Sequence, residues 1–499
     1  MKFNSFVNLR SVFMFVFLLV MIFVFSGESE KIYAKNSTNQ VQEAIQDMKT
    51  LVTHYQDDND IISKEATHNL QIHLEALAHF EGNEETEKSI KHLKNLKRLV
   101  NYQYENDLIS EKAYHVLDSN TEHLIQTKQN KKDPIIMGYW NGDKKIENFP
   151  ANKLTHINYA FAYIDEEGNV HPDSSYKEAE NDFKELNKYK EKNPHIKSSI
   201  SIGGWGPNSK YFSDVASSKK SREEFAQATI DKFIIKYNFD GIDLDWEFPV
   251  EGGTDELHYD PNDKENLTLL AKEFRDQLDQ LEKENNREYL LTAATPAGRY
   301  QSQGPYDPAD SYDFEGLSKY LDWIYVMAYD IGNGFSPVTN FNTPMQPVNS
   351  DPTPDEIKKW NNVSGAVEYY QKQGVPTDQL VLGTAFYGRS FEVSSEENQG
   401  LYQEYESTGP SPQWNEIKKD YLKDPDWKEY WHSTAEVPWL FNSDTNMFLA
   451  YDNPDSINKK AQFINKHNLR GGMIWHIGQD DNQNSLLNAL SKPVLKINH

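Results

Sequence analysis

From Asp133 onward the sequence sets short β-rich runs between longer helix-sized stretches, eight times over. The runs are Ile135–Trp140, Leu154–Tyr163, Lys197–Ile202, Asp240–Trp246, Tyr289–Thr295, Trp323–Tyr329, Leu380–Phe386 and Gly472–Trp475. Strands that alternate with helices are the sequence sign of repeated βα units and a parallel sheet. Eight such units predict an α/β fold, a (β/α)8 TIM barrel, whose usual size of about 250 residues fits 133–499 once an insertion is allowed. The insertion falls between the seventh and eighth runs, at about 391–449, where Tyr402, Tyr405, Trp414, Trp427, Trp431 and Trp439 lie among turn residues. It reads as a small α+β subdomain on the loop side of the barrel, a wall that deepens any cleft there.

Residues 36–131 have a different rhythm, helical and repeated. Asp60-Ile61-Ile62-Ser63 with Ala66, His68 and Leu70 recurs 47 residues later as Asp107-Leu108-Ile109-Ser110 with Ala113, His115 and Leu117. Ser63 and Ser110 each precede charged residues and an apolar stripe, as helix N-caps do. Two helical hairpins packed by their apolar faces satisfy this pattern. The segment holds His68, His73, His79, His92, His115 and His123. They lack the tight pairing with carboxylates of a metal site, so structural or surface roles are expected. The stretch resembles the FIMAH-type helical module appended to some secreted bacterial enzymes.

The first residues carry an address. Lys2 and Arg10 precede the unbroken apolar run Val12–Phe25, after which Ser26, Gly27 and Glu28 restore polarity. Fourteen apolar residues behind a basic start match a secretory signal and are short of the roughly 20 needed to span a bilayer. Residues 1–34 are therefore expected to be a signal peptide cleaved near Ala34, leaving a secreted, extracellular chain with no stable membrane association. The chain has no Cys, which removes disulfides, thiolate metal sites and cysteine nucleophiles together. Its 51 Lys and Arg against 77 Asp and Glu give a net charge of −26, which repels phosphate backbones and argues against nucleic-acid partners. A monomer is expected.

The chemistry is concentrated in the fourth run, Asp240-Gly-Ile-Asp243-Leu-Asp245-Trp246-Glu247-Phe-Pro249. Alternate side chains of a strand share a face, so Asp243, Asp245 and Glu247 point the same way. In a barrel that face is the closed interior, normally filled with Val, Ile and Leu, while Ile242 and Leu244 pack outward on the helices. Each buried charge costs several kcal/mol unless it is protonated or paired, so three stacked carboxyls mark a site. Glu247 is nearest the C-terminal end of the strand, where barrel active sites open. Asp243 and Asp245 below it are expected to share protons and raise one another's pKa. A carboxyl held protonated near neutrality can donate to a leaving oxygen, as glycoside cleavage requires. Oxygen ligands also suit Mg²⁺, but no partner histidines or phosphate loop accompany them, and neither metal nor cofactor is expected.

Asp240-x-x-Asp243-x-Asp245-x-Glu247 resembles the signature of family 18 glycoside hydrolases, the chitinases and their relatives. Ser201-Ile202-Gly203-Gly204-Trp205 is similar to the family's third-strand motif and Met327-Ala328-Tyr329-Asp330 to its sixth. Phe386-Tyr387-Gly388-Arg389 and Gly472-Met473-Ile474-Trp475 are similar to the seventh and eighth. The insertion resembles the subdomain of the deep-cleft chitinases.

That resemblance implies substrate-assisted, retaining hydrolysis of β-1,4 bonds between N-acetylglucosamine units, an exception to the usual two-carboxylate scheme. Glu247 would be acid and base, Asp245 would hold the substrate's acetamido N–H, Asp243 would poise the Asp245 proton, and Tyr329 would bond the acetamido oxygen. Trp475 would floor the subsite of the distorted sugar, with Asp330 placing the same sugar. Trp140 and Trp205 would line neighbouring subsites, Tyr139 would lie near the acetamido pocket, and Arg389 would close the cleft under the insertion. Ser201 and Met327 enter as substrate contacts through their motifs. The stretch Ile331-Gly332-Asn333-Gly334 departs from the aromatic or polar pair many relatives carry there, altering the aglycone side. The resemblance leaves open an enzyme of peptidoglycan or N-glycans, and a chitinase-like lectin. Lectins of that kind typically lose the terminal acid, so Glu247 and Asp245 count against that reading.

Overall fold

The computed structural model describes residues 37–497, apart from 59, 84, 130–132, 174–177, 299, 302–304 and 307. The expected signal lies outside the described residues. The chain divides into two compact units, Met1–Lys132 and Asp133–His499.

Among the described residues the first unit contains four helices: α1 (Ser37–Asp57), α2 (Lys64–Gly82), α3 (Thr86–Glu105) and α4 (Glu111–Gln129). Ser63 Oγ accepts from Ala66 N at 3.0 Å and Ser110 Oγ from Ala113 N at 3.1 Å, so both repeat copies start a helix with the same cap. The two repeat loops also pair with each other, Ile62 N donating to Leu108 O at 3.1 Å and Ser110 N to Asp60 O at 2.7 Å. One core joins the helices, with Val52, Leu70, Leu74, Leu77 and Val100 fully buried. His68, His79 and His115 are exposed, whereas His73 and His92 are half-buried with ring centres 5.8 Å apart.

The second unit is a closed barrel. Its strands are β1 (Ile135–Trp140), β2 (His156–Ile164), β3 (Lys197–Gly203), β4 (Gly241–Asp245), β5 (Leu290–Pro296), β6 (Trp323–Met327), β7 (Leu380–Ala385) and β8 (Gly471–Trp475). Each pairs in parallel with the next, and β1 pairs with both β2 and β8, which closes the ring. A short strand, Val170–Pro172, pairs antiparallel with the end of β2. The helices between strands bury one stripe against the barrel. In Asp263–Asn285, for example, Leu267, Leu270, Ala271, Phe274 and Leu278 are buried at the spacing of one helical face.

The insertion is a five-stranded antiparallel sheet built from Arg389–Val393, Tyr405–Thr408, Trp427–His432, Val437–Asn442 and Met447–Ala450. Its core of Phe391, Val393, Val437, Trp439, Phe441 and Phe448 also takes in Phe341 and Val348, from the segment that follows β6. That segment carries no periodicity, and nothing in the sequence marked it as part of the insertion's packing.

Candidate active site

The carboxyl ladder stands on β4 as the alternation requires. Ile242 and Leu244 face outward into the core, and Asp243 and Asp245 face the barrel interior, 0% and 3% exposed. Asp243 is deepest and saturated with donors. Its Oδ2 accepts from Tyr139 Oη at 2.8 Å and Ser201 Oγ at 2.7 Å, and its Oδ1 from Thr292 Oγ1 at 2.7 Å. Burial raises its pKa although these hydrogen bonds favour its anion. Asp245 has no such support: its Oδ1 is buried with no hydrogen-bond partner among the described residues. Burial first, then the Glu247 and Asp243 charges, hold its carboxyl well above the ordinary range.

Glu247 stands just past the strand. Burial, and then the nearby Asp330 carboxylate, push its pKa up to about 8. Two backbone features fix this end of β4. Gly204 N donates to Asp245 O at 2.7 Å, and Gly203 sits at φ +104°, where a Cβ would lie 2.2 Å from that same oxygen. Buried Ser209 accepts from Glu247 N at 3.3 Å.

Above the ladder opens a cleft of about 490 Å³. Asp245, Glu247, Tyr329, Trp205, Met327, Asp330, Arg389 and Trp475 all line it, so the structure brings eight of the expected site residues together. Trp475 stacks on Phe161, ring centres 5.4 Å apart and planes at 21°, and meets Tyr139 edge-on at 5.3 Å. Trp205 and Phe335, 49% and 56% exposed, lie 6.2 Å apart at the mouth. Arg389 holds Asp330 through two contacts, Nε to Oδ1 and Nη2 to Oδ2, both 2.7 Å, a bidentate pair. Tyr387 Oη donates to the same Oδ1 at 2.7 Å. Tyr329, buried beneath the cleft mouth, has its pKa held well above that of a free phenol by burial and the surrounding acids.

Four expected residues do not line the cleft. Asp243, Tyr139 and Ser201 form the buried layer below it, the latter two bonded to Asp243 and not placed as direct substrate contacts. Trp140 is on the opposite face of β1 from Tyr139, which corrects its expected place in a subsite. It is 2% exposed, donates its indole N–H to Lys144 O at 2.8 Å, and packs edge-on to Tyr159 in the layer between barrel and helices. Asp240, at the other end of the strand, is an anchor for Lys190 (2.7 Å) and Arg287 (2.6 Å).

Sequence reasoning missed Phe161, Phe248, Phe335, Tyr387, Ser411 and Gln479 as cleft residues. Phe161 lies where the β2–β3 register shifts between Ala160 and Ala162, so simple alternation misjudges its face. Tyr387 was within reach, two residues from Arg389 and therefore on the same side of the chain.

A family model described as glycosyl hydrolases family 18 matches residues 135–480, the barrel together with its insertion. The chain belongs to glycoside hydrolase family 18. A second family model, the FIMAH domain, matches residues 45–126. Among characterised relatives of this glycoside hydrolase, Chitinase A1 of Niallia circulans is 34% identical over 308 residues, which cover 60% of this chain and 43% of that protein. Chitotriosidase-1 of Mus musculus is 30% identical over 357 residues, 69% of this chain and 71% of that one. Among solved structures, a family 18 N-acetylglucosaminidase from Paenibacillus barengoltzii superposes with a TM-score of 0.63 at 30% identity, over 72% of this chain and 100% of that one. Chitinase ChiA74 from Bacillus thuringiensis gives 0.66 at 29% identity, over 74% and 71%.

Proposed function

We propose that residues 133–499 form the catalytic domain of a chitinase that hydrolyses β-1,4 bonds between N-acetylglucosamine units with retention, through the substrate's own 2-acetamido group. The observation that carries this reading is that Glu247, whose pKa burial and then Asp330 push up to about 8, lines the same cleft as Asp245, whose buried Oδ1 has no hydrogen-bond partner among the described residues. Glu247 donates its proton to the glycosidic oxygen as the bond to the anomeric carbon breaks. The acetamido oxygen closes on that carbon from the opposite face, giving an oxazolinium ion. Asp245 accepts the acetamido N–H, and the positive charge developing beside it favours its anionic form. Asp243 poises the Asp245 proton from below, and Tyr329 donates to the acetamido oxygen. Glu247, now a carboxylate, takes a proton from the incoming water, whose oxygen opens the ring with net retention.

The cleft chemistry fits a sugar. Trp475 offers a flat apolar floor, and each ring it covers removes C–H surface from water at about 25 cal/mol per Å². The basic start and apolar run Val12–Phe25 support export, and among the described residues no helix is long and apolar enough to cross a membrane. Product analysis on N-acetylglucosamine hexamer tests the reading by following the anomer released at early times. A β-anomer, with no turnover in Glu247→Gln, is expected. An α-anomer, or undiminished turnover in that variant, rejects the mechanism, and cleavage of peptidoglycan in place of the hexamer moves the substrate.

A further inference from the structure

Asn342 is fully buried in the long segment after β6, and its side chain bonds main chain at both ends. Its Oδ1 accepts from Asp330 N at 2.9 Å, and its Nδ2 donates to Tyr387 O at 3.3 Å. It therefore ties together the two loops whose side chains meet on the Asp330 carboxylate. Asp330 sits at φ +58°, a left-handed conformation less favourable for it than for glycine, and the bond from its N–H to Asn342 Oδ1 helps to hold it there. The main chain runs back on itself around this point, Ile331 N donating to Asn342 O at 3.1 Å and Gly332 N to Phe341 O at 2.9 Å.

The segment carrying Asn342 is fixed from the insertion side. Phe341 belongs to the insertion's apolar core, Thr339 N donates to Gln403 O at 2.9 Å, and Met345 N donates to Ala435 O at 2.8 Å. Thr343 Oγ1 donates to Asp452 Oδ2 at 2.7 Å, and Asp452 Oδ1 faces Lys460 Nζ at 2.6 Å, both of those side chains 0% exposed. A buried ion pair is weak as a source of stability, but breaking one by removing a partner is costly, so its members stay in place. Here it is bonded on both oxygens and anchors the residue next to Asn342.

We propose that Asn342 is a positioning residue, through which the insertion and the buried Asp452–Lys460 pair hold Asp330 in the cleft. The insertion then acts on the reaction as well as walling the cleft, because the Asp330 charge it places is one that Glu247 feels. This rests on the reading of Glu247 as the acid and Asp330 as a sugar contact.

The test is a double-mutant cycle of Asn342→Ala and Asp330→Asn, read in kcat/KM on N-acetylglucosamine hexamer and, in a Glu247→Gln background, in hexamer affinity by calorimetry. Asn342→Ala alone is expected to cost about ten- to a hundredfold in kcat/KM, the scale of a misplaced contact. In the Asp330→Asn background the same change is expected to cost less than about twofold, because its effect runs through Asp330. A residue that only stabilises the fold gives equal losses in both backgrounds, and that result, or unchanged turnover in Asn342→Ala, overturns the proposal. If Asn342→Ala fails to fold, Asn342→Ser, whose shorter side chain cannot bond Asp330 N and Tyr387 O at once, takes its place in the cycle. Wild-type protein that binds the hexamer without cutting it overturns the catalytic reading while the affinity cycle still decides the role of Asn342. Protein that neither binds nor cuts it overturns both.

Discussion

Asp243 and Asp245 lie two residues apart on one face of β4, yet three side-chain donors converge on Asp243 while Asp245 Oδ1 has none. The Asp245 anion is thus the less supported of the two, so protonation at this pair favours Asp245. The Asp243 charge is also one cause of the raised Asp245 pKa. Asp243→Asn is expected to lower the Asp245 pKa and move the acid limb of the kcat profile to lower pH, with a loss in kcat of about a hundredfold. An acid limb that stays in place in this variant assigns that limb to another group.

Glu247 must be protonated to act as an acid, and its pKa of about 8 sets where that fails. The kcat/KM profile is expected to fall on a basic limb near pH 8, far above an ordinary carboxyl. Asp330 contributes to that elevation through its negative charge, so Asp330→Asn is expected to shift the limb downward. Initial rates on a soluble oligomer, from about pH 4 to 10, check both statements.

The same pKa predicts a cost in stability. Glu247 binds its proton more tightly folded than unfolded, so its contribution is fully present below the unfolded carboxyl pKa. It is lost as pH rises through about 8. Glu247→Gln cannot ionise and escapes this loss. Its melting temperature is expected to match wild type near pH 4 and to exceed it increasingly up to about pH 8. Parallel melting curves across that range reject the buried, protonated state of Glu247.

The barrel was legible because each strand is a short β-rich run and the connections between them are helix-sized, a pattern with few other solutions. The carboxyl ladder was legible for a related reason: carboxyls at alternate positions of a buried strand stand out against the apolar residues that normally fill a barrel interior. What could not be read is what strand parity does not govern. Phe335 and Asn342 sit in the segment after β6, whose path is set by docking on the insertion, and no local pattern reports that. Trp140 was misplaced although parity was available, since Tyr139 facing Asp243 turns its neighbour outward. An aromatic at a strand end was weighted over the alternation that decides its face.

Trp140 and Trp475 therefore separate stability from binding. Trp475→Ala removes the half-buried stacking floor of the cleft and is expected to raise KM about tenfold or more, with a smaller loss of melting temperature than a fully buried Trp would give. Trp140→Ala opens a cavity between barrel and helices, costing about 3–5 kcal/mol of stability, while folded protein keeps its KM. Thermal melts and steady-state kinetics on both variants check the contrast, and a raised KM in folded Trp140→Ala would return that residue to a subsite.

The choice of nucleophile yields the strictest expectation. In the proposed mechanism the chain supplies an acid, Glu247, and an acceptor, Asp245, and the attacking oxygen comes from the substrate's acetamido group. A sugar polymer with the same β-1,4 linkage and a hydroxyl at that position offers the same ring faces to Trp475 and the same leaving oxygen to Glu247, but no attacking group. Cello-oligomers are thus expected to show no turnover on the timescale of hexamer hydrolysis, even where they occupy the cleft. A methylated thiazoline analogue of the cyclic intermediate should compete with the hexamer, because it presents the ring that Asp245 and Tyr329 would hold. Efficient cleavage of cello-oligomers would require a carboxylate of the chain to act as nucleophile or as base for direct attack by water, and Asp245 would then have to be reassigned to one of those roles.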